Sequence, residues 1–446
     1  MPKLTIVLAL LLCASAAHAA RSVTIDPSFA YYKDRSVESI AEELKAGGFD
    51  DVRVVGAQPE LAKALKESGA KVWLLTFMNG AYSTADLPKG WEAWKMKLRK
   101  AVAPDGFTYL CCNNPAYRAW KKKQIVAALK ASPSLYGVDL CEAFFPAYSG
   151  PESDLYGCLC DQCAAAFKAM YPDAPGLPEF ADTTSPRYWK TDKTLYEKWV
   201  GFRVSSVVGY LDEIVNGKEG IREACPDVKV ATWSLGLDVP DQIERLREWE
   251  ALDGAAIVKR VKPDAHVIQT DWPDWSKPDL SPKYPLKYKP VVDSIREVAP
   301  KLPISLQADI GSKDNMRRSR AWIDELERYV REIGCASTIH YEYTLGEYMY
   351  TDVPAIVRTE PEVGGLRLIF NKRLDSASAC NLGNYSLSSG RIDYAKLDGN
   401  IVHLSISGAE EKPEVTVSAI SDDEPRRFFH DKPACTMSES VRVNVE

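Results

Sequence analysis

The sequence predicts an α/β protein: a (β/α)8 barrel followed by a small all-β sandwich. Three observations carry that expectation. Short β-rich runs recur between residues 22 and 344 with amphipathic stretches between them, and strand–helix alternation builds parallel strands joined by crossover helices. The first run, TIDPSFAYY, has no G-x-G-x-x-G, the turn that a doubly wound dinucleotide-binding sheet places after its first strand, so a closed barrel is preferred over an open sheet. After about residue 360 the pattern changes to short alternating runs joined by Gly, Asn and Asp, as in an antiparallel sandwich.

Taken in order, the strands are expected at 22–29, 51–56, 71–77, 135–142, 228–235, 266–272, 303–311 and 337–344. The helices between them are read from apolar residues at helical spacing at 37–48, 59–70, 116–130, 199–215, 243–261 and 316–334, the first closed by glycine at its C-terminal end. Ahead of the first strand, Lys3, the run LTIVLALLL and then ASAAHAA, with Ala17 and Ala19 before a cut, form an export leader over residues 1–19. The apolar run is short of a membrane span. Leu12 before Cys13 does not suit a lipoprotein leader. The domains are thus expected at 1–19 (leader), 20–358 (barrel) and 359–446 (sandwich), in a secreted or periplasmic protein. A net charge of -6 with acids and bases interspersed gives no basic patch for nucleic acid or an anionic membrane.

In a barrel the C-terminal strand ends converge on one mouth, where active sites sit. The acids there are Glu142 on the fourth strand, Asp271 on the sixth, Asp309 on the seventh and Glu342 on the eighth, with Asp26 expected lower on the first. Phe144, Phe145, Trp233, Trp272, Trp275, Tyr341 and Tyr343 accompany them. Carboxylates set among aromatic faces suit sugars, and glycoside hydrolysis uses two carboxyl groups flanking the scissile bond. The expected catalytic set is Glu142, Asp309 and Glu342, with Asp271, Trp272, Trp233, Tyr341 and Phe144 binding a carbohydrate substrate. Strand-end acids also cap helices or pair with barrel arginines, and Trp272 and Trp275 could equally pack a Pro-rich loop. Glu142, followed by AFFPAY, has the least structural reason to be polar. With five histidines and no G-x-S-x-G, a Ser-His-acid hydrolase is not visible.

Cys158, Cys160 and Cys163 form a C-x-C-x-x-C set just after this glutamate. Three thiolates so close fit a closed, structural zinc site once a fourth ligand arrives from elsewhere, and Cys111 and Cys112 are the candidates. In an exported protein, disulfides are the alternative. Cys141, Cys225 and Cys335 read as small buried residues.

Residues 106–171, from GFTYLCCNNPAYRAW through LYGVDLCEAF to CLCDQCAAAFKAMY, resemble the central segment of family 42 glycoside hydrolases, β-galactosidases of the (β/α)8 class. That resemblance implies a four-cysteine zinc on Cys111, Cys158, Cys160 and Cys163 and an acid/base role for Glu142. The sequence departs from the family at Cys112, where the family has proline, and at Cys141, where it has asparagine. On the seventh strand it offers Gln307 and Asp309 where the family nucleophile is a glutamate. Those departures leave a catalytically inactive carbohydrate-binding barrel as the rival expectation. The segment LRLIFNKRLDSASACNLGNYSL with VTVSAISD resembles bacterial immunoglobulin-like domains of the SbsA type, implying a spacer or accessory domain.

Overall fold

The computed structural model describes residues 21–81, 83–100, 106–146, 149–308, 311, 316–345, 351–409 and 413–444. The expected leader and Asp309 lie outside the described residues. Eight strands, β1 (Arg21–Ile25), β2 (Phe49–Val55), β3 (Lys71–Phe77), β4 (Gly137–Cys141), β5 (Lys229–Gly236), β6 (Ala265–Thr270), β7 (Ile304–Ala308) and β8 (Ser337–Tyr341), close into a barrel in chain order. All neighbours are parallel, and β8 pairs with β1 from Arg21↔Thr338 to Thr24↔Tyr341, so no open edge remains.

Every strand lies where the sequence placed it, but the first and the eighth end three or four residues early. The expected first and eighth strands ran to residues 29 and 344, whereas β1 and β8 stop at Ile25 and Tyr341. At β1 the cause is local: Asp26 accepts from the Ser28 N–H at 2.9 Å, and its carbonyl accepts from Phe29 N at 3.2 Å, which folds the chain into a turn.

The described helices of the barrel are α1 (Val37–Ala46), α2 (Pro59–Glu67), α3 (Pro115–Ala131), α4 (Asp161–Met170), α5 (Lys193–Asn216), α6 (Ile221–Ala224), α7 (Gln242–Glu250), α8 (Gly254–Val261), α9 (Trp272–Trp275), α10 (Lys289–Val298) and α11 (Arg320–Glu332). Side-chain caps start several of them: Ser36, Asn114, Asp192 and Ser319 each accept a first-turn N–H. The single helix expected over 243–261 is two. Ala251 takes a left-handed φ of 59° after α7, and Asp253 then caps α8 by accepting from Ala256 N at 2.9 Å. No helix among the described residues is long and apolar enough to cross a membrane.

The barrel interior is polar beneath its mouth. Arg53 on β2, 2% exposed, donates through Nε to Asp139 of β4 at 2.9 Å and through Nη1 to Ser22 of β1 at 3.2 Å, and it pairs with Asp51. Trp73 Nε1 donates to Asp51 at 3.1 Å, and the guanidinium lies over its ring. The first four strands are therefore cross-tied from inside.

The C-terminal segment forms two antiparallel sheets. β9 (Ile356–Glu362), β10 (Gly365–Phe370), β13 (Ile401–Ser407) and β12 (Arg391–Asp398) make one; β11 (Tyr385–Leu387), β14 (Glu414–Val417) and β15 (Val441–Asn444) make the other. Leu366, Leu368, Phe370, Val402, Leu404, Val415 and Val417 form a shared core separate from that of the barrel. The module docks on α1 and the turn before it: Asp398 accepts from Ser36 N at 2.8 Å, and Asn400 accepts from Arg35 at 3.0 Å and from Ser39 at 3.1 Å. Gly399 is required there, because its φ is 59° and a Cβ would stand 2.1 Å from Ser39 Oγ.

Arg53→Met should destabilise the protein by about 3–5 kcal/mol in equilibrium urea unfolding, since it leaves buried Asp139 and half-buried Asp51 without their cation. A loss below about 1 kcal/mol would show that the interior tie is dispensable.

Candidate active site

At the C-terminal strand ends the barrel opens into a cavity of about 1240 Å³. Glu142 and Phe144 from the loop after β4, Trp233 on β5, Asp271 and Trp272 after β6, and Tyr341 and Glu342 at the end of β8 all line it. Thus every expected catalytic and substrate-binding residue among the described ones faces one space. Asp26, expected lower in the barrel, lines it as well, because the turn after Ile25 lifts it to the mouth. Phe145 does not: it is fully buried, with Arg203 over its ring. Sequence reasoning missed Asp86, Phe107 and Tyr109, which reach the cavity from the long excursion between β3 and α3, and also Gln269 and Phe29.

Glu142 has a left-handed backbone, φ 56°, which a non-glycine residue adopts only when its surroundings enforce it. Both flanks enforce it here. Met78 N donates to the Cys141 carbonyl at 2.8 Å, while Asn79, 1% exposed, accepts from Phe144 N at 3.1 Å and donates to the Phe144 carbonyl at 2.6 Å. Tyr210 in turn donates to the Met78 carbonyl at 2.9 Å, as does Tyr117. Asn79 is the support that the sequence did not reveal. Cys141 is buried, and burial followed by the Glu142 charge pushes its thiol well up, so it stays neutral beside the carboxylate.

Across the cavity Glu342, 2% exposed, accepts from Asp26 N at 3.2 Å, and its own N–H donates to the Thr24 carbonyl at 3.1 Å. The last residues of β8 and the turn after β1 are therefore one unit. Gln307 on β7 is fully buried and donates to the Tyr341 hydroxyl at 2.6 Å. Asp271 caps α9 by accepting from Trp272 N at 2.9 Å. Burial lifts its carboxyl to about 7, against the pull of that N–H and with a push from Asp274. Trp233 is oriented by its Nε1–H bond to Gln269 at 2.9 Å, whereas Trp272 is 48% exposed at the rim.

Beside this mouth the thiols of Cys111, Cys158, Cys160 and Cys163 lie within 4.8 Å of one another. Cys111 Sγ is 3.5 Å from Cys163 Sγ and 3.6 Å from Cys160 Sγ. Those spacings exceed a disulfide bond of about 2.05 Å and approach the roughly 3.8 Å edge of a tetrahedron with 2.3 Å metal–sulfur bonds. Three N–H groups point at the sulfurs: Lys97 N to Cys158 at 3.4 Å, Asn113 N to Cys111 at 3.4 Å and Asn113 Nδ2 to Cys163 at 3.3 Å. Donors aimed at sulfur favour thiolates, so the set fits a thiolate-bound metal ion. Cys112, the other candidate fourth ligand, is buried and outside the set; its side of the turn faces Arg118, which donates to the Cys112 carbonyl.

Similar folds occur among known structures. The chain matches a β-galactosidase from the Antarctic haloarchaeon Halorubrum lacusprofundi at 15% identity and TM-score 0.51, over 72% of this chain and 52% of that one. A catalytic mutant of Gan42B, a GH42 β-galactosidase from G. stearothermophilus, matches at 17% and 0.50, over 72% and 50%. The cold-adapted β-galactosidase from Rahnella sp. R3 matches at 15% and 0.51, over 74% and 51%. These likenesses establish the barrel fold, and the chain spans about half the length of each of these proteins. No family model matches the chain, and no curated protein matches it.

Two outcomes are expected from the site alone. Metal analysis of purified protein should give about one metal ion per chain, with Cys111, Cys158, Cys160 and Cys163 protected from alkylation until a chelator is added; two disulfides among them would exclude the site. Asp271 has a folded-state value above the ordinary 3.8, so its ionisation opposes folding increasingly as pH rises from about 4 to about 7. Asp271→Asn keeps a capping acceptor, and between pH 5 and 8 its urea stability should gain about 2 kcal/mol on wild type. A pH-independent difference would show that Asp271 ionises normally.

Proposed function

We propose that the protein is a glycoside hydrolase that cleaves O-glycosidic bonds of an oligo- or polysaccharide with two carboxyl groups. The observation that carries this reading is the convergence of Glu142 and Glu342, from opposite halves of the barrel, on one aromatic-lined cavity at the strand ends. Glu142 would protonate the leaving oxygen, and Glu342 would serve as nucleophile or as base for water. Asp309 is the other candidate for the second role. Asp271, Trp233, Trp272, Tyr341 and Phe144 would hold the sugar, rings against its C–H faces and carboxyl to its hydroxyls. Among the described residues the cavity lining carries five acids and no Lys, Arg or His. That balance suits a neutral or amino sugar better than a uronate or sulfated one.

The same reading takes the four sulfurs as a structural zinc site closed to substrate, in which the metal supplies no chemistry and holds the loops. It takes residues 1–19 as an export leader, residues 20–358 as the catalytic barrel and residues 359–446 as an immunoglobulin-like module, with substrate met outside the cytoplasm. A second reading, a sugar-binding barrel without activity, draws on Cys141 beside Glu142 and on fully buried Gln307 at the seventh strand.

Mature protein and Glu142→Gln should be compared on a panel of aryl glycosides and neutral oligosaccharides. The wild type is expected to cleave at least one, and the variant to lose about 10³-fold or more in kcat. Binding without cleavage would establish the second reading, and an active Glu142→Gln would remove Glu142 from the mechanism.

A further inference from the structure

The loop between β14 and β15 reaches from the C-terminal module to the cavity's outer wall. It is anchored from behind by buried charges: Lys372 pairs with Asp422 at 3.1 Å, both side chains fully buried, and Arg427 pairs with the same carboxylate. Cys435 N donates to Asp422 at 3.0 Å, and Arg427 donates to the carbonyls of Lys432 and Pro433 at 3.1 and 3.2 Å. Removing either partner of such a buried pair is costly, so these pairs pin the loop to the module.

On this anchor Phe428 enters an aromatic cluster of the barrel. Its ring centroid is 4.8 Å from Tyr31, 5.8 Å from Phe29, 6.2 Å from Tyr32 and 5.7 Å from Tyr343, three of these contacts edge-on. Phe429 meets Tyr343 at 6.3 Å and lies under Arg317, which pairs with Asp431. Arg373 ties the same corner by donating to the Tyr31 and Lys33 carbonyls at 2.8 and 2.7 Å and to Asp423 at 2.6 Å. Phe29 and Tyr343 both line the cavity, whereas Phe428 does not. Glu342, next to Tyr343 in the chain, lines the same cavity and is bonded to Thr24 and Asp26.

We infer that the C-terminal module backs the active-site wall, with Phe428 as the positioning residue that seats Phe29 and Tyr343 on the Glu342 side. The placement stands on the contacts alone; its consequence for a sugar rests on the glycosidase reading. A spacer needs only a linker, whereas here the module supplies the packing behind two cavity residues across the β1–β8 seam.

The test uses the full chain as Phe428→Ala, Phe428→Tyr and Arg358→Ala. The last cuts a module–barrel ion pair with Glu42, part-way along α1. On the glycoside identified by the panel, Phe428→Ala should raise KM about ten-fold while kcat changes less than about three-fold. Phe428→Tyr and Arg358→Ala should stay near wild type. Amide hydrogen exchange should quicken over residues 26–32 and 341–345 in Phe428→Ala alone, with residues 142–146 unaffected. Should Phe428→Ala fail to fold, Phe428→Leu, which keeps most of the bulk, carries the same readouts. Wild-type KM and exchange in the alanine variant, or an equal KM rise in Arg358→Ala, would overturn the inference. If the wild type neither binds nor cleaves any sugar, the glycosidase reading falls and exchange alone decides the placement.

Discussion

Four cysteine sulfurs within 4.8 Å of one another join the two long excursions that leave the tops of β3 and β4. Ahead of α3 and α4 these excursions form, among their described residues, only short elements: the strand pair Gly80–Ala81 with Thr108–Tyr109, and single 3-10 turns at Trp91–Trp94 and Gly150–Glu152. The first carries Cys111 just after Phe107 and Tyr109, and the second carries Cys158 just after Leu155; all three neighbours line the cavity. A metal ion on the sulfurs would remove most of the freedom those loops have and fix one side of the mouth. Two backbone bonds continue the tie, Leu110 N to the Asn79 carbonyl at 2.8 Å and Leu159 N to the Lys97 carbonyl at 2.7 Å. Through Asn79 the same scaffold reaches Phe144 and so the strained backbone of Glu142.

The opposite side is braced differently. There the turn after β1 and the end of β8 share hydrogen bonds through Glu342, and the aromatic cluster around Phe428 backs them. A barrel closed by parallel pairing fixes where strand ends converge, but leaves the loops above them free to vary. In this chain each half of the rim has its own device, sulfurs on one and a docked β-module on the other. In the cavity between them, burial lifts the Asp271 carboxyl to about 7.

The barrel was legible because each strand is a short apolar run and each helix repeats its apolar residues at helical spacing, signals that survive without tertiary context. The rim acids were legible for the same reason, since finding a strand's end also finds what sits on it. Asp26 was misplaced because the turn it forms with Ser28 and Phe29 continues an apolar-looking run. The break between α7 and α8 hid in an unbroken amphipathic pattern, although Asp253 ahead of glycine is a capping signal. Asn79 and Phe428 left no local mark. One is a lone amide that meets residue 144, the other a phenylalanine nearly 400 positions from its partners Phe29 and Tyr31. Long-range contacts of that kind have no period to read.

The central claim is that a glycosidic bond is held between Glu142 and Glu342 in this cavity. A crystal structure of Glu142→Gln soaked with an oligosaccharide that the wild type cleaves tests it most directly. The account predicts the scissile oxygen within hydrogen-bonding reach of residue 142, the anomeric carbon facing Glu342, and a sugar ring against Trp233 or Trp272. A saccharide seated with its glycosidic bonds away from both residues, or bound outside the strand-end cavity, would contradict it.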